Sequence, residues 1–256
     1  MTETVQRGLQ PGLAAAPGSL LTAHQPDLFP WSGFWWKMAR ADVMDIAIHD
    51  QFQSRGYQRR VRMRDGWASL PIQRPASGAP ISDVLIAAGG VQVLRDVIVG
   101  RYRDARWWPS RGPVVLTWLD LAEETSGGKL WLFNLTLIQL AALYLGIETQ
   151  LCVQEPLRQR GTAGIVELCA LYGVDRYLSG NGGRAYLDET QMRQAGLEVL
   201  WSTHRPVSEE SLLTVLFDYD DPGAMARLST TQRPLSSVAE DRNDYDDPSK
   251  IVRASH

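Results

Sequence analysis

The stretch HQPDLFPWSGFWWK, residues 24–37, combines residue types that chemistry needs with a backbone that prolines restrict. His24 can move a proton near neutral pH, and the amide of Gln25 can both donate and accept hydrogen bonds. Trp31 and the following tryptophans offer flat apolar walls for a ligand. The stretch therefore predicts a site with His24 as general base; the competing interpretation is a core histidine in a proline turn covered by aromatic rings.

A second polar cluster, His49-Asp50-Gln51, follows the next apolar segment. A carboxylate beside His24 would orient its imidazole, and Asp50 is the candidate. Side chains alternate along a strand, so only one of His49 and Asp50 is expected to face His24. The basic run after this cluster is either a solvated strand face or a surface that binds phosphate or carboxylate. The candidates for such binding are Arg55, Arg60 and Arg62.

A glycine-rich segment, SGNGGR at 179–184, follows a predicted strand and precedes a predicted helix. Glycines there allow positive φ and expose backbone N–H groups that can cradle a phosphate. The spacing matches neither a dinucleotide fingerprint nor a Walker loop, and the alternative is a tight loop with Asp188 as the helix N-cap. The candidate binding residues are Ser179, Gly180, Gly182, Gly183, Arg184 and, just beyond, Tyr186.

Three further side chains draw attention in otherwise apolar segments. Asn134 interrupts WLFNLTLIQLAALYLGI, where a buried amide needs partners; it either satisfies neighbouring backbone or faces a pocket. Cys152 and Cys169 are predicted to be inert core thiols, because no cationic neighbour or helix N-terminus is evident to lower their pKa. No cysteine, histidine and carboxylate set has metal-ligand spacing, so we assign no metal.

Apolar segments predict the elements that hold these residues. A strand at 19–24, a helix at 33–41 and a strand at 42–49 form a βαβ unit with parallel strands. Asp65-Gly66 predicts a hairpin, and 105–128 reads as an irregular connection. The fold class expected is α/β, with a mixed sheet beginning with a βαβ unit, a β-hairpin and flanking helices. Other strands are expected at 81–87, 113–118, 147–153 and 197–201, and helices at 91–104, 131–146, 161–172, 188–195 and 209–217.

Length and charge set the wider limits. The 256 residues and net charge of −3 fit a globular protein and give no argument for binding nucleic acid or an anionic membrane. We expect a flexible arm at 1–18, a single α/β domain at 19–218 and an acidic, largely disordered tail at 219–256. No signal peptide is visible, and polar residues interrupt the apolar segment 130–147, so a buried helix and a cytoplasmic location are expected.

Several motifs occur in one order and spacing along the chain. They are HQPxxxPWxG from His24, then Lys37, ARAD, QF, RGYQ, and later YLSGxGGRxYL. Over roughly residues 19–202 this pattern resembles the WbqC-like family of bacterial proteins. Members commonly occur among genes for surface polysaccharides and specialised metabolites, so the resemblance implies a biosynthetic enzyme. It also implies that Lys37, Gln51, Tyr57 and Gln58 belong to the substrate site.

The leading hypothesis is a transferase that moves an acyl or aminoacyl group onto an amine, such as an amino sugar or a specialised-metabolite intermediate. His24 would act as base, Gln25 and Asn134 would position the substrates, and the arginines would meet phosphates. No tightly bound cofactor is expected; coenzyme A or the phosphopantetheine of an acyl- or peptidyl-carrier protein is the candidate co-substrate. The alternatives are a hydrolase or lyase acting on a phosphorylated or amino-acid-derived intermediate, and a non-catalytic carrier or scaffold protein. The sequence does not indicate an oligomeric state.

Overall fold

Five parallel strands form the main sheet, and the α/β fold is confirmed. A computed structural model describes residues 15–16, 18–206 and 208–223. The strands are β1 (Leu20–His24), β2 (Val43–Ile46), β3 (Arg60–Met63), β4 (Gly66–Ser69), β5 (Gln150–Cys152), β6 (Arg176–Ser179) and β7 (Glu198–Trp201). The order across the main sheet is β5-β2-β1-β6-β7, while β3 and β4 form a separate antiparallel hairpin.

The predicted βαβ unit is present at the centre of this sheet. Residues of β1 pair in parallel with β2, from Leu21 opposite Val43 to His24 opposite Ile46. The other edge of β1 pairs in parallel with β6, where Leu21 lies opposite Tyr177. The strand order therefore reverses between β1 and β6, and the chain leaves the ends of these two strands in opposite directions.

Helices cover both faces of the sheet. The α-helices of the described residues are α1 (Ser32–Met38), α2 (Gly90–Tyr102), α3 (Trp108–Ser126), α4 (Leu130–Leu145), α5 (Gly161–Tyr172), α6 (Glu189–Gln194) and α7 (Leu212–Asp218). On one face, Phe34 and Trp35 of α1 join Met44 of β2 in the larger core, which also takes in α2, α3, α4 and α7. On the other face, Leu168 and Tyr172 of α5 pack in a second core with the sheet.

The prediction for 105–128 is wrong, because most of this segment is the 19-residue helix α3 rather than an irregular connection with a strand. Pro109 lies in the first turn, where its missing N–H has no helical partner to lose. Pro113 lies deeper in the helix and obscures the helical pattern of the sequence. The apolar residues of this segment nevertheless recur at the spacing of one helix face. The buried apolar residues of α3 are Val115, Trp118, Leu119 and Ala122.

The strand predicted at 81–87 is also wrong. Ile81–Asp83 forms a short 3₁₀ helix, and the following residues make only isolated bridges. Ile86 pairs with Ile72 while its neighbour Leu85 pairs with Lys129, so the two residues face different partners and no ladder continues.

The β3–β4 hairpin is confirmed, although its turn lies one residue earlier than the Asp65-Gly66 signal suggests. Met63 pairs with Gly66, which leaves Arg64 and Asp65 as the connecting residues. Asp65 and Gly66 have φ values of 62° and 105°, in the left-handed region that Asp and Gly tolerate best.

The ends of the expected domain are only partly described. Residues 1–14, 17 and 224–256, which hold most of the expected arm and tail, lie outside the described residues. At the start, the Ala15 amide donates to the carbonyl oxygen of Tyr172 at 2.9 Å. At the end, Arg111 donates to the carbonyl oxygens of Tyr219 and Asp220 at 2.7 and 2.8 Å, so packing against α3 extends beyond residue 218.

Asn134 lies on α4, is fully buried, and ties two loops to this helix. Its Nδ2 donates to the carbonyl oxygen of Pro26 at 2.8 Å and to that of Gln58 at 2.7 Å. The Asn134 amide thus donates hydrogen bonds to the backbone of two loops beside the predicted site. None of the described helices, α4 included, is both long and apolar enough to cross a membrane.

Replacing Asn134 with Leu removes both donors while keeping a similar volume. Two buried carbonyl oxygens then lack a partner, and we expect the free energy of unfolding to fall by about 2–4 kcal/mol. Urea denaturation measures this change. The control Gln92→Leu, on the exposed face of α2, should stay within about 0.5 kcal/mol of the parent protein. Equal stability of the Asn134 variant and the control would contradict the role assigned to these bonds.

Candidate functional site

A cavity of about 520 Å³ opens at the carboxyl ends of β1 and β6, where the strand order reverses. Open α/β sheets bind ligands in such crevices. Its lining residues are Ala23, His24, Gln25, Asp27, Trp31, Gly33, Lys37, Asp45, Ala47, Asp50, Tyr57, Leu157, Ile165, Leu168, Tyr177, Gly180, Asn181, Gly182, Gly183, Tyr186, Ser202, His204 and Pro206. The cavity thus unites the end of β1, the end of β2 and the glycine loop after β6.

His24 is the last residue of β1, and its ring packs edge-on against Phe34 of α1 with 4.9 Å between ring centroids. Its Nδ1 lies 2.9 Å from the carbonyl oxygen of Gln25, which can only accept. Nδ1 therefore carries the proton and, in the neutral ring, Nε2 carries the lone pair. Burial, followed by the positive charge of Lys37, lowers the pKa of His24 to about 3. The imidazole is neutral at physiological pH.

Asp27 is the carboxyl group nearest to the His24 ring in the described structure, with Oδ2 3.7 Å from Nδ1. Burial raises the pKa of Asp27 to about 7, and Lys37 opposes this shift. Lys37 is itself buried on α1, and its Nζ lies 3.4 Å from the carbonyl oxygen of Ala23. The three side chains form one electrostatic unit in which Asp27 changes charge near neutral pH.

Asp50 reaches the cavity, but its hydrogen-bond partner is Gln25. The Nε2 of Gln25 donates to Asp50 Oδ2 at 2.8 Å, and its Oε1 accepts a hydrogen bond from Gln58. The amide of Gln25 is thereby fixed from both ends. His49 is exposed and does not line the cavity. Among the described residues, Asp27 rather than Asp50 is the carboxyl group within 4 Å of His24 Nδ1.

The loop between β1 and α1 is held in a strained conformation. Phe29 has a φ of 43°, in the left-handed region that bulky residues rarely adopt, and is buried in the larger core. The carbonyl oxygen of Pro30, which follows it, accepts hydrogen bonds from Trp35 Nε1 at 2.9 Å and from the Leu212 amide at 3.1 Å. Strain of this kind persists when the surroundings fix the backbone, and it is common beside functional sites.

The glycine loop after β6 reaches the cavity in a conformation different from the one predicted. Asn181–Ala185 forms a short 3₁₀ helix, and Gly180, Gly182 and Gly183 do not adopt positive φ. Gly183 is needed for close approach instead, because a Cβ at this position would collide with the hydroxyl of Ser179. Asp188 caps the next helix, accepting from the Thr190 amide at 2.8 Å. The loop is therefore a tight connection with its glycines on the cavity wall.

The structure divides the predicted site residues into two groups. Those that line the cavity are His24, Gln25, Trp31, Lys37, Asp50, Tyr57, Gly180, Gly182, Gly183 and Tyr186. Those that do not are Gln51, Arg55, Gln58, Arg60, Arg62, Asn134, Ser179 and Arg184. Gln58 and Asn134 support the cavity from behind through the hydrogen bonds described above.

The basic residues outside the cavity have protein partners. The guanidinium of Arg62 lies 3.0 Å from Glu209, and Arg184 stacks over Trp201 at 4.5 Å. Arg60 stacks over Trp67 of the hairpin at 4.5 Å. Trp67 in turn contacts Tyr57 at 5.4 Å between ring centroids, so Arg60 lies one aromatic layer away from a cavity residue.

The sequence interpretation missed Asp27, Asp45 and His204, which also line the cavity. His204 is buried, and its Nε2 lies 2.7 Å from Ser32 Oγ. Burial, with a contribution from Arg40, lowers the pKa of His204 to about 4. Asp27 lies inside the HQPD motif and could have been found from it. Asp45 and His204 stand among ordinary strand and loop residues, and only tertiary structure brings them to the site.

The cysteines are buried and outside the cavity. Burial raises the pKa of both Cys152 and Cys169, the latter to about 12, as expected for inert core thiols. Within the described ranges, no group of three or more histidine, cysteine or carboxylate residues is arranged to hold a metal ion. Lys37 is the one ammonium group among the lining residues described.

Comparison with known proteins shows which family the chain is related to and does not assign a reaction. The chain is 24% identical over 186 residues to the uncharacterized protein Rv1507c of Mycobacterium tuberculosis, covering 69% of this chain and 79% of that one. No solved structure matches the chain significantly. The model of the WbqC-like protein family matches residues 25–209, which begin at Gln25, directly after His24, and include the hairpin and the glycine loop. Since this match spans most of the sequence, the chain belongs to the WbqC-like protein family.

Proposed function

We propose that this protein is an acyl or aminoacyl transferase that modifies an amine bound in the cavity, with His24 as general base. The single observation that carries the proposal is the state of His24. It lies at the strand-order reversal, its Nδ1 is bound to a backbone carbonyl oxygen, and its neutral ring leaves the Nε2 lone pair for a substrate proton.

The charges of the cavity support an amine as acceptor. Three lining residues carry carboxyl groups, Asp27, Asp45 and Asp50, and one, Lys37, carries an ammonium group. Carboxylates attract an ammonium ion and can take hydrogen bonds from it. A neutral amine, formed when the ammonium loses its first proton, is the nucleophile that an acyl transfer needs.

The reaction can be written with all atoms accounted for. The amine nitrogen attacks the carbonyl carbon of a thioester, and His24 Nε2 takes a proton from that nitrogen as the C–N bond forms. The C–S bond breaks, its electron pair leaves on sulfur, and the proton passes from the imidazolium to the thiolate. The products are an amide and a free thiol. Asp27, when ionised, stabilises the transient imidazolium from the Nδ1 side.

The hairpin supports a co-substrate whose phosphates stay outside the cavity. Tyr57 and Trp67 are 45% and 41% exposed and form an aromatic pair beside the cavity, with Arg60 stacked on Trp67. Coenzyme A or a carrier-protein phosphopantetheine could rest its phosphates near Arg60 and extend its thioester inward. The phosphopantetheine chain of this co-substrate would then deliver the acyl group to His24 at the end of β1.

The first test compares His24→Ala with His49→Ala, which removes an exposed histidine outside the cavity. Purified proteins are incubated with acyl-CoA thioesters and amino sugars, and amide products are measured by mass spectrometry. Loss of the base should lower the transfer rate by about a hundredfold or more, while the His49 variant keeps the parent rate. Unchanged transfer in the His24 variant, or thioester hydrolysis with no amide formed by the parent protein, would overturn the proposal.

The second test uses the pH dependence of transfer. Because the pKa of His24 is lowered to about 3, its base form is already present throughout the neutral range, and Asp27 titrates near pH 7 instead. Raising the pH through this value creates the carboxylate that stabilises the imidazolium. Ionisation of the substrate ammonium raises kcat/KM equally in the parent protein and in Asp27→Asn, so the effect of Asp27 is read from the ratio of the two values. This ratio of parent to variant should rise about tenfold between about pH 6 and pH 8. A ratio that does not change with pH would show that Asp27 is not responsible.

A further inference from the structure

The cavity continues from the His24 side of the sheet to the opposite face. In the register of β1 and β2, Ala23 lies opposite Asp45 and His24 opposite Ile46. Because side chains alternate along a strand, Asp45 and His24 point to opposite faces. Their contacts agree, since His24 packs against Phe34 of α1 whereas Asp45 accepts a hydrogen bond from Tyr172 of α5. Both side chains nevertheless line one cavity. The cavity therefore extends around the carboxyl ends of β1 and β2, from one face of the sheet to the other.

Asp45 lies within β2 and is 5% exposed. Its Oδ1 accepts from the Tyr172 hydroxyl at 2.8 Å. No other hydrogen bond and no ion pair from the described residues reaches this carboxyl group, yet it lines the cavity. A carboxylate at this buried position has lost most of its hydration. A single charge-assisted hydrogen bond does not compensate for that loss.

The walls around Asp45 on this face are three aliphatic side chains and the ring of a tyrosine. Leu157, Ile165 and Leu168 come from α5 and the segment before it, and Tyr177 comes from β6. We call the space between these four residues and Asp45 the α5 lobe. Apolar walls favour a hydrocarbon group by removing its surface from water, and they strengthen any charge pair formed beside them.

We propose that the α5 lobe binds a positively charged nitrogen carried on an apolar chain, with Asp45 as its counter-ion. The assignment of this ligand as the acceptor in acyl transfer rests on the proposed function; the binding itself does not. A substrate that fills both the α5 lobe and the part of the cavity beside His24 would anchor its cationic group at Asp45 and present a second nitrogen to His24. The proposal therefore narrows the acceptor to molecules with two separated nitrogen groups.

A neutral hydroxyl group in the same place would give Asp45 a weaker bond and leave its charge uncompensated. A cation on a short polar ligand would satisfy Asp45 but leave the four apolar walls in contact with water. The carboxyl group of Asp45 thus favours a positive charge, and the walls of the α5 lobe favour an apolar chain beside it. Lys37 lies on α1, on the face where His24 packs, and is not part of the α5 lobe.

The test measures binding without any acyl donor, so that its outcome is independent of catalysis. Pentylammonium and pentanol have matched chains and differ in charge, and NMR titration gives both dissociation constants. The parent protein should bind pentylammonium about tenfold more tightly than pentanol. Asp45→Asn should bind the two probes equally, through loss of ammonium affinity alone. The control Asp96→Asn removes an exposed carboxylate on α2 and should retain the parent preference.

A second variant keeps the proposal falsifiable if Asp45→Asn does not fold. Ile165→Trp fills the α5 lobe and leaves every carboxyl group in place, so binding of both probes should be lost. Equal affinity of the parent protein for the two probes, an ammonium preference that survives in Asp45→Asn, or ammonium binding that survives in Ile165→Trp would each overturn the proposal. Correct probe binding together with no acyl transfer would instead contradict only the proposed function.

Discussion

The position of β1 between two parallel neighbours is the constraint on which the rest of the structure depends. β1 pairs with β2 on one edge and with β6 on the other, so the segments that leave β1 and β6 must separate. A crevice at the carboxyl ends of these strands follows from the topology alone. The HQP loop forms one side of this crevice and the glycine loop the other, although more than 150 residues separate them in sequence.

Backbone hydrogen bonding then makes the crevice a defined site. Asn134 holds the carbonyl groups of Pro26 and Gln58, and Pro30 is bound by Trp35 and Leu212. These bonds come from three different helices and fix the loop that carries His24, Gln25 and Asp27. Fixed dipoles and side chains need no reorganisation when charge develops on a reacting group, which is how an enzyme site differs from water. In the proposed transfer, the buried polar groups of this region would serve preorganisation as well as stability.

Much of this arrangement could be predicted from sequence, and the exceptions have physical reasons. The apolar run before His24 and the apolar segment after α1 predict parallel strands, which bring His24 and Asp50 to the same sheet edge. The helix α3 was missed because Pro109 and Pro113 obscure its helical spacing. The partner of Arg62 is Glu209, and that of Asp45 is Tyr172; contacts between residues so distant in sequence leave no local pattern. Asp45 lies inside a buried strand, where one sequence alone does not separate a structural carboxyl group from a ligand-binding one.

The proposed chemistry requires a neutral His24, with its proton on Nδ1 and its lone pair on Nε2. Nitrogen NMR of protein labelled at its four histidines, with His24 assigned by difference from His24→Ala, reads this tautomer directly. The structure predicts an unprotonated Nε2 and a protonated Nδ1 for His24 at neutral pH, with no protonation of the ring as the pH falls to about 5. A protonated Nε2, or an imidazolium at neutral pH, would contradict the account, because His24 would then have no lone pair for the substrate.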